Sequence, residues 1–147
     1  MTDFFPANRA TAILPHHRFA HSQGAPHVHI QGTVETVFAG PGNHHGANHQ
    51  HFTVKVEAVL KLEGAQFDEP AITGQTLFVA VRFGDNEGLD AEIPDLREQT
   101  PIEIQGEYIA LADAYPTQDN EGPDKLPVLH FTHHPVGFIR YNGAYYS

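Results

Sequence analysis

Cysteine is absent from this 147-residue chain, which excludes disulfides and thiolate metal ligands together. Positive charge is also scarce: 8 Lys plus Arg face 18 Asp plus Glu, for a formal charge of −10. A sequence-independent grip on a phosphate backbone needs clustered cations, so nucleic acid is disfavoured as a partner. No apolar run approaches the roughly 20 residues that cross a bilayer, so no membrane association is expected. The first residues, MTDFFPANRATAILPHHRF, lack the basic start and apolar stretch of a secretory signal, and a cytoplasmic location is the expectation. Serine occurs only as Ser22 and Ser147, neither beside a base, which argues against covalent serine catalysis. Neither a GxSxG elbow, nor a P-loop, nor a glycine-rich dinucleotide fingerprint is present.

The length is that of one ordinary domain with a real core. Residues 1–26 show no periodicity and read as an irregular N-terminal arm, with a single β-barrel domain over 27–147. From His27 the pattern has period two, with Val28, Ile30, Gly32 and Val34 on one face and His27, His29, Gln31, Thr33 and Glu35 on the other. Alternation resumes after a Gly, Pro, Asn and His loop at 39–48. Phe52, Val54, Val56, Ala58 and Leu60 then point inward, and His49, His51, Thr53, Lys55 and Glu57 outward. A third strand carries Leu77, Val79, Val81 and Phe83 inward, and a fourth carries Ile102, Ile104 and Tyr108. Between these two, Ile93 to Glu98 is expected to form a short helical turn. A solvated acidic loop from Asp113 to Pro127 leads to a fifth strand, PVLHFTHH. The Asn142-Gly143 pair near the end is a strong signal for a two-residue hairpin.

Five short strands without a long helix predict an all-β fold, a small OB-fold-like closed antiparallel barrel with a C-terminal hairpin. Gly32 and Gly106 interrupt strands where a barrel must bend sharply. In an OB-fold the ligand face lies across the second and third strands, between the loop joining strands one and two and the loop joining four and five.

What the chain has in abundance is histidine: twelve residues in four clusters. Neutral imidazole is the commonest ligand for zinc and other divalent transition metals, and it alone among side chains titrates unperturbed near neutrality. Residues at i and i+2 of a strand share a side, so His49 with His51, or His27 with His29, can reach one ion. Both pairs face away from the core, as do His130 and His134, while His133 falls on the side of Phe131. The candidate metal ligands are His49, His51, His130, His133 and His134, holding zinc or another divalent transition metal. The acidic loop bearing Asp113, Asp119, Glu121 and Asp124 lacks the spacing of an EF-hand.

The segments GTV, HQHFTV, GQTLFVAV, IPDL, IQGEYI, LHFTHHPVG and YNGAYYS follow in an order that resembles DUF3465, a family of uncharacterised bacterial proteins. The resemblance covers roughly residues 30–147. It falls on His49, Gln50 and Phe52, on Gly106, Glu107 and Tyr108, and on His130, Thr132, His133, His134 and Pro135. It continues at Gly137, Phe138, Ile139, Gly143 and Tyr146. The chain departs from the pattern at Phe131, where the family carries Trp, and in lacking an Asp between His134 and Pro135. Many members also look exported. The resemblance implies a shared small barrel and a site centred on His49, His130, His133 and His134, with no activity attached.

Two functions fit. In one, the barrel holds a divalent metal through His49 with His130, His133 or His134, and activates water for hydrolysis with Glu107 as the candidate base. In the other, the same face is a non-catalytic binding module for a small ligand, an oligosaccharide or another protein, with the histidines as hydrogen-bonding partners. A homodimer through a strand edge or the tyrosine-rich tail is compatible with either.

Overall fold

The computed structural model describes residues 25–44, 47–64 and 72–147. Except for Ala25 and Pro26, the expected N-terminal arm lies outside those residues. Eight strands follow in order: β1 (His27–Val37), β2 (Gly42–His44), β3 (Ala47–Glu63), β4 (Thr76–Phe83), β5 (Pro101–Ile109), β6 (Val128–His130), β7 (Phe138–Tyr141) and β8 (Ala144–Tyr146). Five of them close into a ring in the order β1-β3-β4-β6-β5, with β5 returning to β1. The small closed all-β architecture read from the sequence is the one the chain adopts. Four of the ring's pairings are antiparallel, and β4 with β6 is parallel. A ring with an odd number of strands cannot alternate direction all the way round, so at least one parallel pair is required. The expected hairpin is also present: β7 pairs with β8 across Asn142 and Gly143, both in the left-handed region at φ 52 and 80.

Inward positions of β1, β3, β4, β5 and β6 supply one core, in which Ile30, Phe52, Val54, Leu77, Ile104 and Leu129 are fully buried. Each such side chain contributes about 1.5–3 kcal/mol of transfer free energy. The two strand glycines mark close approaches. A Cβ on Gly32 would run into the Lys55 carbonyl and the Val54 side chain of β3, and one on Gly106 into the His130 carbonyl. Any larger residue would push neighbouring backbones apart at these bends.

Two local expectations are corrected. Leu60 is 50 % exposed, because irregularities in the β1–β3 ladder on either side of Ile30 and Gln31 shift the register, so that Ile30 lies opposite Val59 and Val28 opposite Leu62. One extra residue flips every following side chain to the other face of a strand. Residues 93–98 form no helical turn. The Gln50 side chain bonds both the N–H and the C=O of Ile93, and Asp95 and Gln99 take positive φ.

The segment 110–127 is folded onto the barrel. Ala114 and Leu126 pack with Phe38, Phe78, Ile109 and Val128 as a second cluster on the outer side of β4, β5 and β6. Asn120, 2 % exposed, accepts a hydrogen bond from the Leu126 N–H and donates one to the Leu126 carbonyl. Lys125 donates to the Ala114 carbonyl. Of the acidic residues expected in solvent, Asp113, Glu121 and Asp124 are exposed, whereas Asp119 turns inward to His51. Among the described residues, no helix is long and apolar enough to cross a membrane.

Candidate functional site: histidine and carboxylate rows on the outer face

Strand register decides which outward side chains meet. On β5, Glu107 lies directly opposite His27 of β1 and His130 of β6. Its carboxylate is 3 % exposed, with Oε2 3.7 Å from His27 Nε2 and Oε1 3.4 Å from His130 Nε2. Burial is the strongest single influence on this carboxyl and pushes it up. The contacts from His130 and then His27 outweigh it and hold Glu107 below the ordinary carboxylate value. Conversely, the Glu107 contact raises His27 above its usual value, against that residue's own partial burial. Neighbouring Thr132 is fully buried.

A second row lies further along the same strands, two residues on at His29 of β1 and four at Glu103 of β5. His29 Nε2 is 2.6 Å from Glu103 Oε2, and the Arg140 guanidinium of β7 stands 3.6 Å from the same oxygen. His29 meets the edge of the Phe138 ring at 5.0 Å. Phe138 in turn stacks on Tyr145 at 5.4 Å, and Arg140 lies over both rings. Beside this row an open groove of about 180 Å³ runs between the start of β5 and the β7–β8 turn, lined by Gln31, Pro101, Ile102, Glu103, Arg140 and Asn142 among others.

The five candidate ligands do not gather. His51, 2 % exposed, has Nδ1 3.0 Å from Asp119 Oδ2 and its ring edge-on to Phe78 at 4.8 Å. His49 is bonded through Nδ1 to the Ala47 carbonyl, and its ring centre is 6.5 Å from that of His51. His130 is engaged with Glu107. His133 donates from Nδ1 to the His134 carbonyl, and burial pushes its imidazole below the ordinary value in spite of that bond. His134 is exposed. Register accounts for the separation of His51 from His130: His51 pairs with Ala80 of β4, and His130 follows Leu129, which pairs with Val79. A whole strand thus stands between them, about 9–10 Å of backbone. Their ring nitrogens also face different partners, Asp119 for His51 and Glu107 for His130. Among the described residues no three His, Asp or Glu groups are placed to hold a metal. In the His27–Glu107–His130 row the imidazoles address different oxygens from opposite sides, which is a linear arrangement and not a chelate.

Sequence reading missed Glu103 and Arg140, whose importance comes from β7 docking beside β5, although Glu103 shares the outward phase of Glu107. His16, His17, His21 and His45 lie outside the described residues. The usual ligand face of an OB-type barrel, the outer side of β3 and β4, is covered here at its centre, while Lys55 and Glu57 further along β3 stay exposed. Phe78, His51 and Thr53 are 1 %, 2 % and 5 % exposed. No family model, curated protein or solved structure matches the chain, so the resemblance to DUF3465 rests on the quoted segments alone.

Proposed function

We propose that this protein is a non-catalytic binding module that takes a small polar ligand on the outer face of β1, β5 and β7. One observation carries the reading: segment 110–127 packs over the outer side of β4, β5 and β6 and reaches β3 through Asp119, while an open polar groove lies beside ordered His–carboxylate rows on β1, β5 and β7. Polar groups held in place by neighbours lose little freedom on binding, and this favours recognition. Glu107 serves as an anchor for His27 and His130; with both oxygens at imidazoles and 3 % exposure, it is poorly placed to take a proton from a substrate.

The test is a ligand screen by 1H–15N correlation spectroscopy with a chemically mixed small-molecule library, together with elemental mass spectrometry of protein incubated with zinc. Saturable shifts at residues 29–31, 102–105 and 138–142, with no stoichiometric metal, are expected. One tightly held equivalent of zinc, lost in His49→Ala and His130→Ala, would replace this reading with the metal-dependent one.

A further inference from the structure

Resting on the binding-module reading, we infer that the groove beside Arg140 is a carbohydrate subsite, and that its ligand is a neutral oligosaccharide. The first reason is the set of groups the groove presents. A sugar ring displays vicinal hydroxyls around its rim and C–H groups on its faces. Flat, forked side chains bridge adjacent hydroxyls, and apolar walls take the C–H faces. Gln31, Glu103, Arg140 and Asn142 supply an amide, a carboxylate, a guanidinium and a second amide around one space, and exposed Pro101 gives it an apolar edge.

The second reason is fixation. His29 holds the Glu103 carboxylate at 2.6 Å. Arg140 rests on the Phe138 and Tyr145 rings at 5.4 and 5.7 Å from their centres. Tyr141 is locked by its hydroxyl, which donates to the Asp95 carbonyl and accepts from the Arg97 N–H. Asn142 and Gly143 form the tight turn that closes one end of the groove. Tyr145, 58 % exposed and backed by Phe138, adds an aromatic ring beside the groove, on which a neighbouring sugar residue can lie.

Charge selects a neutral ligand. Glu103 lies within the groove, and the chain as a whole carries −10, so a uronate, a sulfated sugar or a nucleotide phosphate meets repulsion at short and long range. One guanidinium already shared with Glu103 does not reverse that balance. Because the groove is open and shallow, it covers one side of a ring, and affinity must come from several linked rings.

The probes are cellotetraose and maltotetraose, titrated into the full-length 15N-labelled protein. Saturable shifts confined to the amides of residues 31, 102–103 and 138–145 are expected with at least one of them. Arg140→Ala and Tyr145→Ala should each weaken that binding by about tenfold or more. Both side chains are more than half exposed, so the urea midpoint should not move. If neither sugar shifts these amides but other members of the mixed library do, the carbohydrate assignment is wrong and the binding module stands. If nothing perturbs the outer face of β1, β5 and β7, both are wrong. Sugar-induced shifts that survive both substitutions unchanged would also overturn the subsite.

Discussion

Replacing Glu107 by Gln probes the buried row most directly, because it removes the charge while keeping the shape. His27 then loses the group that favours its protonated form, and His130 loses the carboxylate beside it. Removing one partner of a fully buried ion pair costs about 3–5 kcal/mol. Here His27 is 41 % exposed and screened by water, and Gln still offers one acceptor oxygen, so the expected loss is smaller, about 2 kcal/mol. For a chain of this size that corresponds to about 4–8 °C in Tm. The cost should depend on pH in a set direction. His27 binds its proton more tightly in the folded state, so its contribution is complete below its ordinary value of 6.5 and fades as pH rises through the raised one. Glu107 binds its proton less tightly when folded, so its contribution is complete above its ordinary value of 4.5 and fades on acidification. The two overlap between 4.5 and 6.5. His133, held low by burial, favours the folded state toward higher pH, but it does so in wild type and variant alike and drops out of their difference. Urea unfolding followed by far-UV circular dichroism at pH 6 and pH 8.5 measures that difference, since the chain has no Trp to report by fluorescence. A variant within about 0.5 kcal/mol of wild type at pH 6, the scatter of ordinary surface changes, would refute the reasoning. So would a penalty that grows toward pH 8.5.

Three further substitutions check the fold that positions the site. Gly32→Ala should cost about 1–3 kcal/mol in urea unfolding with an unchanged m-value, because the new methyl group meets the β3 backbone at Lys55. Asn120→Ala removes both bonds that tie the loop to Leu126, and about 2 kcal/mol should be lost. Faster amide exchange over residues 114–126 is expected with it, and exchange matching wild type there would show that the apolar cluster holds the loop by itself. Gly143→Ala, at φ 80, should cost about 1–2 kcal/mol and weaken protection of the β7–β8 hairpin.

The fold was legible along the chain because period-two patterning acts locally. Val28, Ile30 and Val34 on β1, or Leu77, Val79 and Val81 on β4, declare which side of a strand is buried without reference to a partner. Asn142-Gly143 likewise carries its own turn geometry. The pattern fails where pairing intervenes: nothing near Leu60 announces the register shift that exposes it, and nothing near Ile93 announces that Gln50 will claim both of its backbone groups.

The site divides along the same line. Composition alone disfavoured thiolate chemistry and phosphate-backbone binding, and phase alone placed His27, His29, His49 and His51 on outward positions. Their partners were a matter of tertiary structure. Sequence clustering offered His49, His51, His130, His133 and His134 as candidate ligands of one ion, but the strand order places β4 between β3 and β6, and His49, His51, His130 and His133 turn toward different neighbours. Closing the ring set Glu107 between His27 and His130, and docking β7 beside β5 brought Arg140 to Glu103. The side a residue faces is fixed by its own backbone and its immediate neighbours. Which residue stands across from it depends on strands that lie tens of positions away, and only their pairing sets that distance.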